Sequence, residues 1–179
     1  MPEKEGMGKK SRNKGSRGEL EVIKIIKRFF PEWAFRRTPL SGGWGNEGEF
    51  KTHGDIITDY PHWDYTVEVK FSESFTFLDA LLFRGNVRKW YAQAVDEANA
   101  NEQAPLLAFR KAHRPWFVLT PYQTFLKTAG FSAMIIMPVE AFEMAGGQTY
   151  LVFTDLENFM KRYSHAKGFG FEASGKLGV

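Results

Sequence analysis

At 179 residues, with 43% hydrophobic and 16% aromatic side chains, the chain carries enough apolar material for one sizeable core and is not a disordered polymer. It has no cysteine, which excludes disulfides and cysteine-ligated zinc. No apolar run approaches the roughly 18 residues of a membrane span, and the polar N-terminal stretch has no signal-peptide core. An intracellular, cytoplasmic protein without a membrane partner is the expectation.

The net charge of +3 is unevenly placed. Residues 1–18 hold six basic side chains (Lys4, Lys9, Lys10, Arg12, Lys14 and Arg17) against Glu3 and Glu5, so the remainder is slightly acidic. This segment is expected as a flexible basic arm, which either contacts phosphates or only keeps the chain in solution. Residues 19–30 form the clearest helix, with Val22, Ile23, Ile25, Ile26, Phe29 and Phe30 in one stripe and Pro31 as its stop. Ser16 and Glu19 have the spacing of a capping box.

Ala34 to Arg37 predicts a short strand, and the Gly-rich, polar stretch 38–52 a mobile loop. Val, Ile, Thr and Tyr in 54–58 and 65–71 predict a hairpin around a Pro-containing turn. Residues 86–100 predict a second amphipathic helix, with Val87, Trp90, Tyr91, Ala94, Val95 and Ala98 on one side, and 106–109 and 116–120 two more strands. The order to this point is αβββαβ plus one strand. Beyond Pro121 the pattern restarts: a helix at 122–129, an apolar run at 133–137, a helix after Pro138, a strand at 149–153 and a helix at 155–163. Residues 164–179 are Gly-rich and expected to fray.

The chemistry concentrates between Asp55 and Lys70. Side chains alternate along a strand, so Glu68 and Lys70 share one face while Val67, Val69 and Phe71 share the other. Asp55 comes from the neighbouring strand and can approach Glu68. Glu19 lies at the edge of the first helix's apolar stripe, where a helix packed on the sheet would present a third acid. Three converging carboxylates repel one another unless a cation compensates them, and magnesium, which prefers oxygen ligands, is the natural choice. Taken singly, each feature has a plainer explanation: a same-face charge pair for Glu-x-Lys, a turn residue for Asp55, a cap partner for Glu19.

In combination the residues resemble the PD-(D/E)xK nucleases, and within them the archaeal-type Holliday junction resolvases, over residues 12–120. Lys14-Gly15-Ser16-Arg17-Gly18-Glu19 resembles that family's opening Lys-Gly-x-x-x-Glu. Arg37-Thr38-Pro39-Leu40-Ser41-Gly42 is similar to its Arg-Ser/Ala-x-x-Ser-Gly. Gly54-Asp55-Ile56-Ile57 corresponds to its Pro-Asp-Ile/Leu-Ile/Val, and Val67-Glu68-Val69-Lys70 to its Ile-Glu-Val/Met-Lys. Pro105 to Phe109 and Trp116 to Val118 look like its closing strands.

The resemblance implies an α/β, restriction-endonuclease-like αβββαβ core over 19–120, a central mixed sheet flanked by helices, followed by a C-terminal α/β extension over 121–163. That extension would pack on the core or form a dimer interface. The resemblance further implies a homodimeric endodeoxyribonuclease of DNA recombination and repair, dependent on Mg²⁺ with Mn²⁺ as a substitute. Its reaction would be paired cleavage in opposed strands of a four-way DNA junction. Glu19, Asp55, Glu68 and Lys70 would be catalytic, and Glu19, Asp55, Glu68 and the backbone carbonyl of Val69 would hold the metal. Lys14, Ser16, Arg17, Arg36, Arg37 and Ser41 would contact DNA, and Trp44 on the loop could stack on an unpaired base or tuck against its own domain.

The chain departs from the pattern at Gly54, which stands for a proline, and at Leu20, which stands for an arginine, so that one phosphate contact is either lost or moved to Arg17. The 38–52 loop is also longer, and nothing past Pro121 has a counterpart in that pattern. Two other readings stay open: a nicking, restriction-like or repair nuclease on linear or damaged DNA, and a catalytically silent DNA-binding module. The intact acid and lysine set argues against the second.

Overall fold

The computed structural model describes residues 5–38, 53–129, 135–139 and 149–169, with the backbone alone at 5–14, 127–129, 135–139 and 149. Along the chain run α1 (Glu5–Phe29), β1 (Phe35–Arg37), β2 (Ile56–Thr58), β3 (Tyr65–Phe71), α2 (Phe77–Leu81) and α3 (Gly85–Ala100). Then follow β4 (Ala104–Arg110), β5 (Phe117–Pro121), α4 (Tyr122–Ala129), β6 (Ile135–Val139), β7 (Thr149–Asp155) and α5 (Leu156–Ala166). Among the described residues all seven strands join one sheet, in the order β1-β2-β3-β4-β5-β7-β6. β3 and β4 run parallel and the other neighbours antiparallel, so the sheet is mixed, and α2 and α3 fill the crossover between the parallel strands.

Period-2 alternation sorts the two faces of the sheet. Ile56 pairs with Val67 and Val67 with Leu106; these side chains and Val69, Ala108 and Val118 pack with Val22 and Ile26 of α1, Phe125 of α4 and Phe159 of α5. Glu68 pairs with Leu107 and Lys70 with Phe109. Leu107 and Phe109 face the other way, packing with Val87, Tyr91, Ala94 and Val95 of α3. The face of β3 that bears the charges is therefore roofed by α3, and Glu68 is only 2% exposed. A crossover between parallel strands has to cover one face of the sheet, and here it covers the charged one.

One expectation changes. α1 begins at Glu5 rather than near residue 19, so Ser16 and Glu19 sit inside it instead of forming a capping box, and the backbone of the basic segment is helical from Glu5. Lys9, Lys10, Arg12, Lys14 and Arg17 favour a helix while Gly6, Gly8, Gly15 and Gly18 oppose it, so the extension rests on continuation: lengthening an already nucleated helix gains a hydrogen bond per residue without a new nucleation step. Past Pro121, β7 pairs along β5 and β6 along β7. Leu151, Val152, Leu156, Phe159, Met160 and Tyr163 are fully buried in the chain's own core. The described part of the extension thus widens the same sheet. Residues 39–52 of the loop expected at 38–52, and the helix expected after Pro138, lie outside the described residues. No helix among the described residues is long and apolar enough to cross a membrane.

Candidate active site

The β2–β3 pair places Asp55 beside the charged face of β3. The Asp55 backbone N–H donates to the Val67 carbonyl at 2.8 Å, and its carboxylate Oδ2 accepts from the Val69 N–H at 2.8 Å. Two neighbours hold the segment from either side. Thr38, next to the end of β1, donates its hydroxyl to the Gly54 carbonyl at 2.6 Å and its N–H to the Asp55 carbonyl at 3.0 Å. Asn101, at the end of α3, donates its amide to the His53 carbonyl at 3.1 Å and to the Thr66 hydroxyl at 2.8 Å.

Gly54 itself has φ +89°, and a Cβ there would lie 2.7 Å from Thr66 Cγ2 and 3.1 Å from the Val67 carbonyl oxygen. Proline, fixed near −65°, cannot take that φ, so the departure from the resolvase pattern at this position is a backbone requirement of this chain.

On β3, the Lys70 ammonium forms an ion pair with the Glu68 carboxylate. The Arg37 Nε binds the buried Glu19 carboxylate, and Arg37 also donates to the Ser16 hydroxyl at 2.9 Å. The two opening segments of the resemblance, Lys14 to Glu19 and Arg37 onward, are thereby tied to each other. α1 approaches closely enough for this because Gly18 has no side chain: a Cβ there would lie 3.2 Å from both Phe71 Cβ and Trp116 Cη2. Arg17 makes an exposed ion pair with Glu21 at 3.0 Å, an interaction weak enough to be exchanged for a phosphate. Arg36 is exposed on β1. Ser41, Trp44 and the Lys14 side chain lie outside what is described.

The electrostatics show what the arrangement lacks. Burial pushes the Glu68 carboxyl up to about 8, and the neighbouring Asp55 charge adds to this; Lys70 opposes both and does not overcome them. Burial likewise pushes Asp55 up to about 6, against the Val69 N–H and with help from Glu19. One lysine is too little positive charge for these acids, and all the donors are hard oxygens, so the site fits a divalent cation such as Mg²⁺. The expected three-acid set is not preassembled. Among the described residues no three His, Asp or Glu side chains stand at metal-holding spacing; Glu19 is engaged by Arg37 and Glu68 by Lys70.

Sequence reasoning missed Glu97. It lies on α3, and its charge raises both Asp55 and Glu68. Its position beside the buried Ala94 and Ala98 is the same edge-of-stripe signal that singled out Glu19.

A mixed sheet between helical layers, with an Asp opening one central strand and Glu-x-Lys on the next, defines the PD-(D/E)xK nuclease class. The family described as "Phage putative PDDEXK endonuclease" matches residues 10–167, and the chain belongs to that family. The matched span includes the strands and helices past Pro121. The chain is thus an endonuclease of a class that binds DNA and typically uses divalent metals. No curated protein matches it in sequence. Among solved structures it is similar to Hjc of Archaeoglobus fulgidus, a Holliday junction resolvase from an archaeal hyperthermophile. The likeness is at 15% identity and a TM-score of 0.40, covering 87% of this chain and 100% of that one.

Proposed function

We propose that the chain is a Mg²⁺-dependent, structure-selective endodeoxyribonuclease that resolves four-way DNA junctions as a homodimer, cutting opposed strands in pairs. The observation that carries the reading is the clustering of Asp55, Glu68 and Lys70 beside a Glu19–Arg37–Ser16 bracket, which joins every described motif of the resolvase resemblance. Asp55 and Glu68 would hold the cation, with the Val69 carbonyl and Glu19 completing the set. When bound, Mg²⁺ supplies charge neutralisation at the scissile phosphate and lowers the pKa of a water nucleophile.

The chain's own groups do the rest. The Val69 N–H fixes the orientation of Asp55, and the roof of α3 keeps bulk water from Glu68. Lys70, a quarter exposed, presents an ammonium that can stabilise charge developing on a phosphoryl oxygen. Arg37 orients Glu19 and, with Arg17, Arg36, Ser16 and Lys14, forms the rim where backbone phosphates would lie. The resemblance adds Ser41 and Trp44, outside the described residues, as further DNA contacts. A two-fold pair of such sites suits paired cuts.

The family description names an endonuclease, with which a second reading, nicking, restriction-like or repair activity on linear or damaged DNA, agrees equally. Incubating the protein with a synthetic four-way junction and a matched duplex, with and without Mg²⁺, separates these readings. Symmetric Mg²⁺-dependent nicks near the branch, absent from the duplex, are expected. Equal cutting of both substrates would replace junction resolution by the second reading, and tight binding without cutting would overturn both.

A further inference from the structure

The Glu97 carboxylate is held asymmetrically. Its Oε1 accepts from Gln93 Nε2 at 2.9 Å, one turn earlier on α3, while its Oε2 is buried with no hydrogen-bond partner. A buried carboxylate oxygen without a donor is costly, and such an atom persists where something absent from the protein alone satisfies it. Gln93 is exposed and Ala94 and Ala98 are buried, so the helix turns Glu97 from the solvent edge toward the sheet. What it meets there is the charged face of β3, since Glu68 and Lys70 point to the same side as Leu107 and Phe109, against which α3 packs. The effect of its charge on both Asp55 and Glu68 agrees with this placement.

We propose that Glu97, positioned by Gln93, is a further cation-holding acid of this site, its free oxygen meeting the bound Mg²⁺ or a water of its shell from the α3 side. The inference rests on the metal-dependent reading above and adds to it a ligand from the crossover helix, outside the hairpin motifs. Mg²⁺ keeps several of its waters when bound by protein, and a carboxylate that accepts from those waters acts on affinity without being a motif residue.

The test is calorimetric titration of Mg²⁺, and separately Mn²⁺, into the metal-free full chain without DNA. Wild type is compared with Glu97→Gln, Glu97→Asp, Gln93→Ala and Glu68→Gln. Glu97→Gln is expected to weaken binding by about 10–100-fold, the range for residues that support a metal's ligands. Glu97→Asp should recover part of the loss, and Gln93→Ala should weaken binding less than Glu97→Gln. In the metal-free state Glu97→Gln should melt no lower than wild type, because it removes one of several crowded negative charges; a purely structural residue would lower the melting temperature.

Unchanged Mg²⁺ affinity in Glu97→Gln, with binding abolished in Glu68→Gln, would overturn the role of Glu97 and leave the metal-dependent nuclease site standing. Absence of binding in wild type would overturn both. If Glu97→Gln does not fold, Gln93→Ala decides: unchanged affinity there would overturn the proposal.

Discussion

The carboxylate of Asp55 is hydrogen-bonded to the backbone N–H of Val69, the residue between Glu68 and Lys70. The acid that opens β2 is thus locked to the strand bearing the other two groups, and the lock depends on how the chain enters β2. Glycine at 54, with φ +89°, provides that approach.

Gly54→Ala should therefore damage both stability and cleavage. The left-handed φ and the 2.7 Å approach to Thr66 Cγ2 both oppose a methyl group. A cost of about 1–3 kcal/mol is expected for a residue forced into that region. Urea denaturation measures the first effect and Mg²⁺-dependent cleavage the second. Wild-type stability in this variant would show that Asp55 is not held through Gly54.

The pH dependence of stability follows from the raised carboxyls. Asp55 and Glu68 bind protons more tightly when folded, at about 6 and about 8, than at their ordinary 3.8 and 4.5. Their favourable contribution is fully present below the ordinary values and is lost as pH rises through the folded ones. The metal-free protein should therefore melt progressively lower between about pH 4 and pH 8. Asp79, lowered to about 2, works in the opposite sense but only below its ordinary 3.8, outside that window. Glu68→Gln should flatten the fall, and saturating Mg²⁺ at pH 8 should raise the melting temperature of wild type but much less that of Glu68→Gln. Thermal melts in chelator and in Mg²⁺ check both; a flat wild-type profile would contradict the burial of Glu68.

Lys70→Ala should lower the cleavage rate by about 10²–10³-fold or more, the scale for losing one group that stabilises developing charge. Binding to the DNA substrate should survive, because phosphate contacts elsewhere set affinity. Single-turnover cleavage and a gel-shift assay in Ca²⁺ separate these effects. Loss of folding in both Lys70→Ala and Glu68→Ala would make the pair structural and remove it from the reaction.

The hairpin and α3 were legible in the sequence because their patterns are local: period 2 through Thr66 to Phe71, and 3.6 through Val87, Tyr91 and Ala98. The start of α1 was not, since its Gly-containing basic turns carry no apolar stripe and owe their helicity to continuation of the helix that follows. Motif order singled out Asp55, Glu68 and Lys70, whereas pairing Glu19 with Arg37 needed the tertiary approach of α1 that Gly18 permits. Glu97 remained hidden for a related reason. Which helix roofs the charged face of β3 depends on the crossover and not on any residue of β3.

The Glu19–Arg37 ion pair gives a double-mutant test. Glu19 is 7% exposed, so Arg37→Ala leaves a carboxylate that is buried and unpaired, while Glu19→Gln removes its charge. Each single change should destabilise the protein, and the double change should cost less than their sum, with a coupling of about 0.5–3 kcal/mol. Arg37→Lys keeps the charge but not the two-armed grip on Glu19 and Ser16, so it should restore only part of the stability. Additive effects in denaturant melts would show the ion pair to be incidental.

Deleting residues 1–13 tests the basic start of α1 against DNA. That stretch carries Lys4, Lys9, Lys10 and Arg12 against Glu3 and Glu5. For every phosphate that the truncated protein no longer neutralises, the slope of log affinity against log salt should fall by about 0.9 on duplex arms. The truncated protein should bind more weakly at low salt, and its affinity should converge with that of the full chain as salt rises. Affinity measured from about 50 to 300 mM salt, on either side of physiological ionic strength, decides the point. An unchanged slope would make the segment a bystander and leave the rim at Arg17, Arg36 and Arg37 as the whole of the described phosphate-binding surface.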